Sequence, residues 1–203
     1  MLTLYSGSTC PFSHRCRIVL YEKDMDFEII DVDNLHKPED LAVLNPYNEV
    51  PVLVERDLIL YEAGIISEYI DERFPHPQLM PADPVTRAKA RLLLFRFEQE
   101  LFLHVKTLEN MQLNLTSRKR SHAREVIRQS LTMVSPMFTA KQYVFGDELS
   151  MVDITMATLL WRLEHYQIKI NKNILGMLKY ADRLFQRKAF LDSLTAAERA
   201  MHH

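Results

Sequence analysis

The first eighty residues alternate between short runs of period two, typical of strands, and longer runs of helical period. An apolar strand begins at Leu2, and small residues around Gly7 separate it from a helix opened by Pro11. A later helix stops at Asn45-Pro46, because a residue before proline disfavours helical backbone angles. The predicted strands are the run from Leu2, 27–32, 51–55 and 58–60, and the predicted helices are 11–23, 38–44 and 63–72.

Beyond about residue 84 only helical periodicity remains. Ser150-x-x-Asp153 forms a capping box, and the helix that it starts is so apolar that we expect it to be buried. The predicted helices are 84–111, 120–139, 150–165, 173–186 and 189–200. Four prolines stiffen the intervening linker, 74–84. The pattern predicts an α/β domain at 1–80, with the order βαβαββα of a thioredoxin-like domain, and an all-α domain at 84–203.

The composition narrows the class of protein. The chain has 203 residues, of which 47% are hydrophobic and only four are glycine. This composition predicts compact helical cores rather than disorder or an all-β fold. A net charge of −2 gives no overall attraction to nucleic acid. We expect no secretory signal, since the N-terminus runs directly into a strand. We also expect no membrane span, since no apolar run approaches the roughly 20 residues required.

Cys10 is the main candidate for chemistry. It precedes Pro11 where the loop meets the helix, and the unpaired amides of a helix N-terminus stabilise a thiolate and lower the pKa of a cysteine. The alternative is that Cys10 is a small buried residue in a turn. Cys16 is poorly placed as a resolving thiol, so any redox chemistry would use one thiol. Two cysteines so close in sequence predict no disulfide framework and fit a reducing cytosol.

Several separated signals point to one fold. Val50-Pro51 precedes a strand, Tyr61-Glu62-Ala63 opens a helix, and the proline-rich linker and the capping box follow. Together they resemble the cytosolic glutathione S-transferase fold. The resemblance implies that the Val50 backbone, before a cis Pro51, pairs with the cysteinyl part of glutathione, and that Glu62 and the helix start at Ala63 hold its γ-glutamyl end. The alternative is that Val50-Pro51 is a strand entry and Glu62 a helix cap.

Five further segments are more distinctive: Arg17-Ile-Val-Leu-Tyr-Glu-Lys23, Leu44-Asn-Pro46, Ile70-Asp-Glu-Arg-Phe-Pro-His-Pro77, Leu79-Met-Pro81 and Leu159-Leu-Trp-Arg-Leu163. They resemble the stringent starvation protein A family, bacterial regulators of this fold. The resemblance implies a cytoplasmic homodimer of the stress response that controls transcription by contacting RNA polymerase holoenzyme, with the sigma factor region expected at the contact. It implies neither catalysis nor a required cofactor. The implied contact residues are Pro75, His76 and Pro77, and the alternative is a stiff interdomain connection.

The stretch Cys10-Pro11-Phe12-Ser13 departs from that family, whose better-known members tend to lack a catalytic residue here. It resembles glutaredoxins and omega-class glutathione transferases, in which a cysteine thiolate forms a mixed disulfide with glutathione and exchanges it. The alternative function is therefore a glutathione-dependent thiol transferase that uses Cys10, with Phe12 in the pocket and glutathione as the ligand. The two hypotheses differ in whether the protein is an enzyme.

Charged and histidine residues elsewhere are weaker signals. A predicted helix carries the basic residues Arg118, Lys119, Arg120, Arg124 and Arg128. No recognition motif accompanies these residues, so a solvated helix face is favoured over DNA binding, and we expect no sequence-specific DNA binding. A contact to acidic surfaces of a partner ranks between these two interpretations. His14 and His104 lack metal-ligand spacing, so no metal is assigned. We exclude His202 and His203 from the functional interpretation.

Overall fold

The computed structural model describes residues 1–33, 37–109, 116–169 and 175–202. The chain forms two compact units, one of Met1–Leu79 with Arg187–His203, the other of Met80–Gln186. The division at Leu79–Met80 falls next to the predicted domain boundary. The C-terminal segment, residues 187–202, was expected in the helical domain but groups with the first unit. The domain limits of the sequence analysis stay a prediction.

The first unit is built on a four-stranded mixed sheet in the order β2-β1-β3-β4. Its strands are β1 (Leu2–Gly7), β2 (Glu28–Val32), β3 (Val52–Glu55) and β4 (Leu58–Tyr61). Its helices are α1 (Pro11–Glu22), α2 (Leu41–Leu44) and α3 (Ala63–Arg73). Strand β1 pairs with β2 in parallel and with β3 in antiparallel fashion, and β3 pairs antiparallel with β4. The predicted order βαβαββα is confirmed.

Periodicity explains the core of this unit. The buried positions of α3 include Ala63, Ile66, Ser67 and Ile70, the spacing of one helical face, and this helix packs against α1. Helix α1 is buried on more sides than one apolar face would bury, because a C-terminal helix packs on it as well. The thioredoxin-like unit therefore includes chain from both ends of the sequence.

The second unit is helical. Its elements are α4 (Pro84–Phe97), a π-helical segment (Glu98–Phe102), α5 (Leu103–Glu109), α6 (Ser117–Thr139), α7 (Met151–Trp161) and α8 (Leu175–Phe185). Every residue of α7 is buried, as its composition predicted. No helix within the described ranges is both long and apolar enough to cross a membrane.

The capping box predicted at the start of α7 is confirmed. The Ser150 amide and hydroxyl donate to Asp153 Oδ2 at 2.9 and 2.5 Å, while the Val144 amide and the Tyr180 hydroxyl donate to Asp153 Oδ1 at 3.0 and 2.6 Å. Burial raises the pKa of Asp153, although these hydrogen bonds oppose the shift. Burial and the neighbouring Asp153 raise the pKa of Tyr180 well above its usual value. One carboxylate thus joins a loop and two helices.

Three predicted helices differ from the structure. The helix expected to reach 165 ends at Trp161, and the one expected over 84–111 contains a π-helical segment. Residues 110 and 111 of that prediction lie outside the described residues, and so do 173 and 174 of the helix predicted over 173–186. The single helix predicted over 189–200 is two, α9 (Lys188–Ser193) and α10 (Ala196–Arg199), with a 3₁₀ turn after them.

A second capping box explains the break between α9 and α10. The Glu198 amide donates to Thr195 Oγ1 at 3.1 Å, and the Thr195 amide donates to Glu198 Oε2 at 3.0 Å. Thr195-x-x-Glu198 is visible in the sequence and could have located this helix start.

Candidate functional site

The sheet register brings three separated loops to one edge. Tyr5 pairs with Val52, and Val52 pairs with Tyr61, so the end of β1, the start of β3 and the end of β4 lie side by side. The loop carrying Cys10, the cis Val50–Pro51 bond and the start of α3 at Glu62 follow or precede these strand ends directly. The structure therefore groups these predicted pocket residues at one edge of the sheet.

Gly7 allows the close approach of the Cys10 loop and Val50. A Cβ added at Gly7 would lie 3.0 Å from Cys10 Cβ and 3.1 Å from Val50 Cγ2, tighter than most real contacts. The Gly7 amide also donates to Ser13 Oγ at 3.1 Å, which ties the end of β1 to the first turn of α1. A side chain at this position would therefore force Cys10 or Val50 to shift by a few tenths of an ångström.

Cys10 is the N-cap residue of α1 and is half-buried. Its thiol lies 4.0 Å from the carbonyl oxygen of Val50, and Phe12 is half-buried in the first helical turn. The start of a helix is a position in which cysteines of other proteins serve as nucleophiles. The arrangement can support chemistry by one nucleophilic thiol.

Glu62 is exposed at the N-cap of α3 and has φ 70°, an uncommon value for a residue with a side chain. Such backbone angles cost about 1–3 kcal/mol and cluster at functional sites. Ala63 follows as the buried first residue of the helix. An exposed carboxylate next to helix amides can face an ammonium and a carboxylate of one ligand.

Cys16 is in a different environment. It is fully buried, and its sulfur lies 3.8 Å from the Ala63 carbonyl oxygen and 4.0 Å from Ser67 Oγ. Burial raises the pKa of the Cys16 thiol to about 12. A buried, protonated thiol cannot resolve a mixed disulfide at Cys10, so the geometry agrees with chemistry that uses one thiol.

The predicted partner-contact residues lie away from this edge, after the end of α3. Pro75, His76, Pro77 and Gln78 are all exposed, and we call residues 75–78 the exposed turn. The His76–Pro77 bond is cis. The structure thus presents the three predicted contact residues together to solvent.

Comparison with known proteins identifies the family. Residues 1–72 match the glutathione S-transferase N-terminal domain. A relative from Coxiella burnetii named stringent starvation protein A homolog is 41% identical over 199 residues, 98% of this chain and 93% of the relative. The chain belongs to the stringent starvation protein A family.

Two further similarities relate this chain to glutathione S-transferases. Glutathione S-transferase omega-2 from Rattus norvegicus is 32% identical over 184 residues, 88% of this chain and 72% of the relative. The solved structure titled as a ternary complex of BphK, a bacterial GST, has a TM-score of 0.87 at 25% identity and covers 99% of this chain and 100% of that one. The predicted glutathione S-transferase fold is confirmed.

Sequence reasoning missed two buried ionic clusters in this member of the stringent starvation protein A family. Arg17 donates to both carboxylate oxygens of Glu198 at 2.6 Å, and Lys23 donates to Asp71 at 2.6 Å, with all four residues buried. Charged residues inside the buried stretch of α1 were the available signal. Their partners could not be found because 181 and 48 residues separate them.

The basic cluster on α6 is partly paired in this family member. Arg128 donates to Glu125 at 2.5 Å, and Arg124 donates to the Tyr166 carbonyl oxygen at 2.7 Å, whereas Arg118 and Lys119 are exposed. These contacts favour a solvated helix face. Among the residues that the structure describes, no group of three or more His, Cys, Asp or Glu side chains could hold a metal ion.

Proposed function

We propose that this protein regulates transcription by binding RNA polymerase holoenzyme through the exposed turn, without catalysis. The observation that carries the proposal is the exposure of Pro75, His76 and Pro77 in a chain that aligns over nearly its whole length with relatives named stringent starvation protein A homolog.

The composition of the exposed turn suits a binding surface. Proline has few conformations, so a turn with two prolines loses little entropy when a partner orders it. Arg73 places its guanidinium 5.0 Å from the centroid of the Phe74 ring, which limits the freedom of the residue before the turn. Between the prolines, His76 offers a ring that can donate and accept hydrogen bonds.

The proposal includes a cytoplasmic homodimer that acts through protein contacts. A net charge of −2 supports a protein partner rather than direct DNA binding. Light scattering coupled to gel filtration measures the assembly, and a mass twice the 23.9 kDa of the chain is expected.

The test is co-elution of the purified protein with bacterial RNA polymerase holoenzyme at moderate and high salt. His76→Ala should weaken co-elution, because the variant removes the polar side chain at the centre of the exposed turn. His165→Ala is the matched control, since His165 is also an exposed histidine but lies in the second unit. Equal co-elution of all three proteins would refute the assigned surface, and no co-elution of the unaltered protein would refute the proposal.

A second candidate function is glutathione-dependent thiol transfer, favoured by the half-buried thiol at the start of α1. In the arrangement that the fold resemblance implies, Cys10 would meet the thiol of glutathione, the Val50 backbone its cysteinyl part, and Glu62 with the start of α3 its γ-glutamyl end. The omega-class similarity points the same way.

The reaction would proceed in two steps. The Cys10 thiolate attacks the glutathione sulfur of a mixed disulfide, so that Cys10 becomes glutathionylated and the substrate thiol leaves. A second glutathione thiolate then attacks Cys10-bound glutathione, which releases oxidised glutathione and restores the thiol. Mass spectrometry after mixing with a glutathione mixed disulfide should show one added glutathione on Cys10. Cys10→Ser should abolish this addition and leave polymerase co-elution unchanged if the two functions are separate.

A further inference from the structure

The exposed turn is held at its base by a buried ion pair. Lys23 is the C-cap residue of α1, and its ammonium donates to Asp71 Oδ1 at 2.6 Å and also to the Pro77 carbonyl oxygen. The same Asp71 oxygen accepts the Leu79 amide at 2.8 Å. One lysine and one aspartate therefore bind the backbone of the turn at Pro77 and just beyond it.

The other end of the exposed turn is fixed separately. At the start of the turn, the Phe74 amide donates to the Ile70 carbonyl oxygen at 2.9 Å, where α3 ends. After the turn, Leu79 is buried with 1% of its surface exposed. The side chains of residues 75–78 reach solvent between these two anchors. The backbone of the turn is thus fastened on both sides while its side chains stay available.

Because the Lys23–Asp71 pair is buried, it stabilises this conformation of the exposed turn over others. The two side chains have 0% and 5% of their surface exposed. A buried ammonium or carboxylate is very unfavourable unless it is paired and hydrogen-bonded. Pro77 and Leu79 supply the additional hydrogen bonds, so any conformation of the turn that withdraws them leaves buried charge incompletely satisfied.

We infer that Lys23 and Asp71 are positioning residues for partner recognition, holding the exposed turn in the single conformation that the polymerase binds. The inference rests on the proposed function. If losing the pair leaves about a tenth of the molecules with the turn in that conformation, the apparent Kd rises about tenfold, because affinity is reduced by the competent fraction.

The decisive variant replaces both charges, K23M/D71N. Lys23→Met alone leaves a buried carboxylate unpaired and should lower stability. The double variant carries no buried charge at either position, and the side-chain amide introduced by D71N keeps an oxygen for the Leu79 amide, so urea unfolding should return close to that of the unaltered protein. It still lacks the bond to the Pro77 carbonyl. A positioning role therefore predicts normal stability with a loosened turn.

Two measurements test whether the exposed turn keeps its conformation in this variant. Hydrogen exchange at the Leu79 amide reports opening of the turn and should become at least about tenfold faster in K23M/D71N, because about nine tenths of the molecules would then have the turn open. The Kd for RNA polymerase holoenzyme should rise about tenfold in the same variant. Lys188→Met is the control, since it removes an exposed ion pair with Asp192 in the same unit, and it should change neither value.

The outcomes are separable. A stable double variant with unchanged Leu79 exchange or an unchanged Kd overturns the inference. If the unaltered protein does not bind polymerase, the proposed function fails, and the exchange rate alone then decides whether the pair positions the turn. If K23M/D71N does not fold, D71N and K23M are measured singly, and equal exchange rates and Kd values in both and in the unaltered protein overturn the inference.

Discussion

At the scale of single residues, two thiols of the same covalent chemistry have opposite environments. Cys10 is the half-buried N-cap residue of a helix, whereas Cys16 lies about 1.7 turns further along and is fully buried. A thiol reacts through its thiolate, so exposure and pKa together decide which of the two is reactive.

This difference predicts selective labelling. At pH 8, iodoacetamide should modify Cys10 and leave Cys16 unmodified in the folded protein. Because burial raises the Cys16 pKa to about 12, only roughly one molecule in ten thousand carries that thiolate at pH 8. Peptide mass spectrometry locates the label. Cys10→Ser should label only after addition of denaturant, and rapid labelling of that variant without denaturant would contradict the prediction.

Two glycines with opposite surroundings give a second test at this scale. Gly7→Ala should lower the free energy of unfolding by about 1–3 kcal/mol, because its Cβ would crowd Cys10 and Val50. Gly64→Ala is the matched control: nothing lies within 4 Å of a Cβ there, and alanine in the first turn of α3 should stabilise by up to about 1 kcal/mol. Urea unfolding measures both. Equal effects would show that the Cys10 loop tolerates a side chain at Gly7.

At the scale of elements, α7 organises the second unit through its cap. A helix buried along its whole length exposes its terminal amides to no solvent, so side chains must satisfy them. Asp153 does this for Ser150, and it also accepts hydrogen bonds from Val144 and Tyr180. The cap therefore fixes the position of α7 among its neighbours as well as its start.

Removing this carboxylate should be severe. Asp153→Ala leaves four donated hydrogen bonds without an acceptor and should lower the free energy of unfolding by about 3 kcal/mol or more, since each unsatisfied buried donor costs about 1–3 kcal/mol. Asp83→Ala provides the control, because Asp83 caps α4 at an exposed site through the Thr86 amide. Its loss should have a clearly smaller effect. Urea unfolding that ranks the two variants equally would disprove the bracing role of Asp153.

At the scale of the whole molecule, the C-terminal segment completes the first unit. Arg17 donates to Glu198, to Ser6 Oγ and to the Gly7 carbonyl oxygen, and Thr195 Oγ1 donates to the Ser8 carbonyl oxygen at 2.6 Å. The chain end therefore supports the loop that carries the candidate thiol. Residues nearly two hundred positions apart depend on one another for burial.

Glu198→Gln should test this dependence. The substitution keeps the shape of the side chain but leaves the buried Arg17 charge uncompensated, and it should lower the free energy of unfolding by about 3–5 kcal/mol. Lys188→Ala on the same segment breaks an exposed ion pair with Asp192 and should leave stability unchanged. Thermal unfolding followed by circular dichroism measures both. An unchanged melting temperature for Glu198→Gln would mean that the first unit does not depend on the Arg17–Glu198 ion pair.

Local signals were sufficient for most of the elements. Periodicity, prolines and the Ser150 capping box located the strands and most helices, because these depend on residues within a few positions of one another. The helix predicted over 189–200 was wrong as a single element, although Thr195-x-x-Glu198 carried the signal for its break. Local patterns did not show that Val50, Pro51 and Glu62 lie together. That grouping was predicted from the resemblance to a known fold.

By itself the sequence determined the element order, the glutathione S-transferase fold and the candidate residues for chemistry and for partner contact. The tertiary structure alone decided which charges are buried and which groups pair with them. Lys23 meets Asp71, and Arg17 meets Glu198, because helices from distant parts of the chain pack together and exclude water between them. Such pairs produce no periodic pattern in the sequence. The desolvation free energy of the charges and the attraction between them both arise only once the folded chain has buried them.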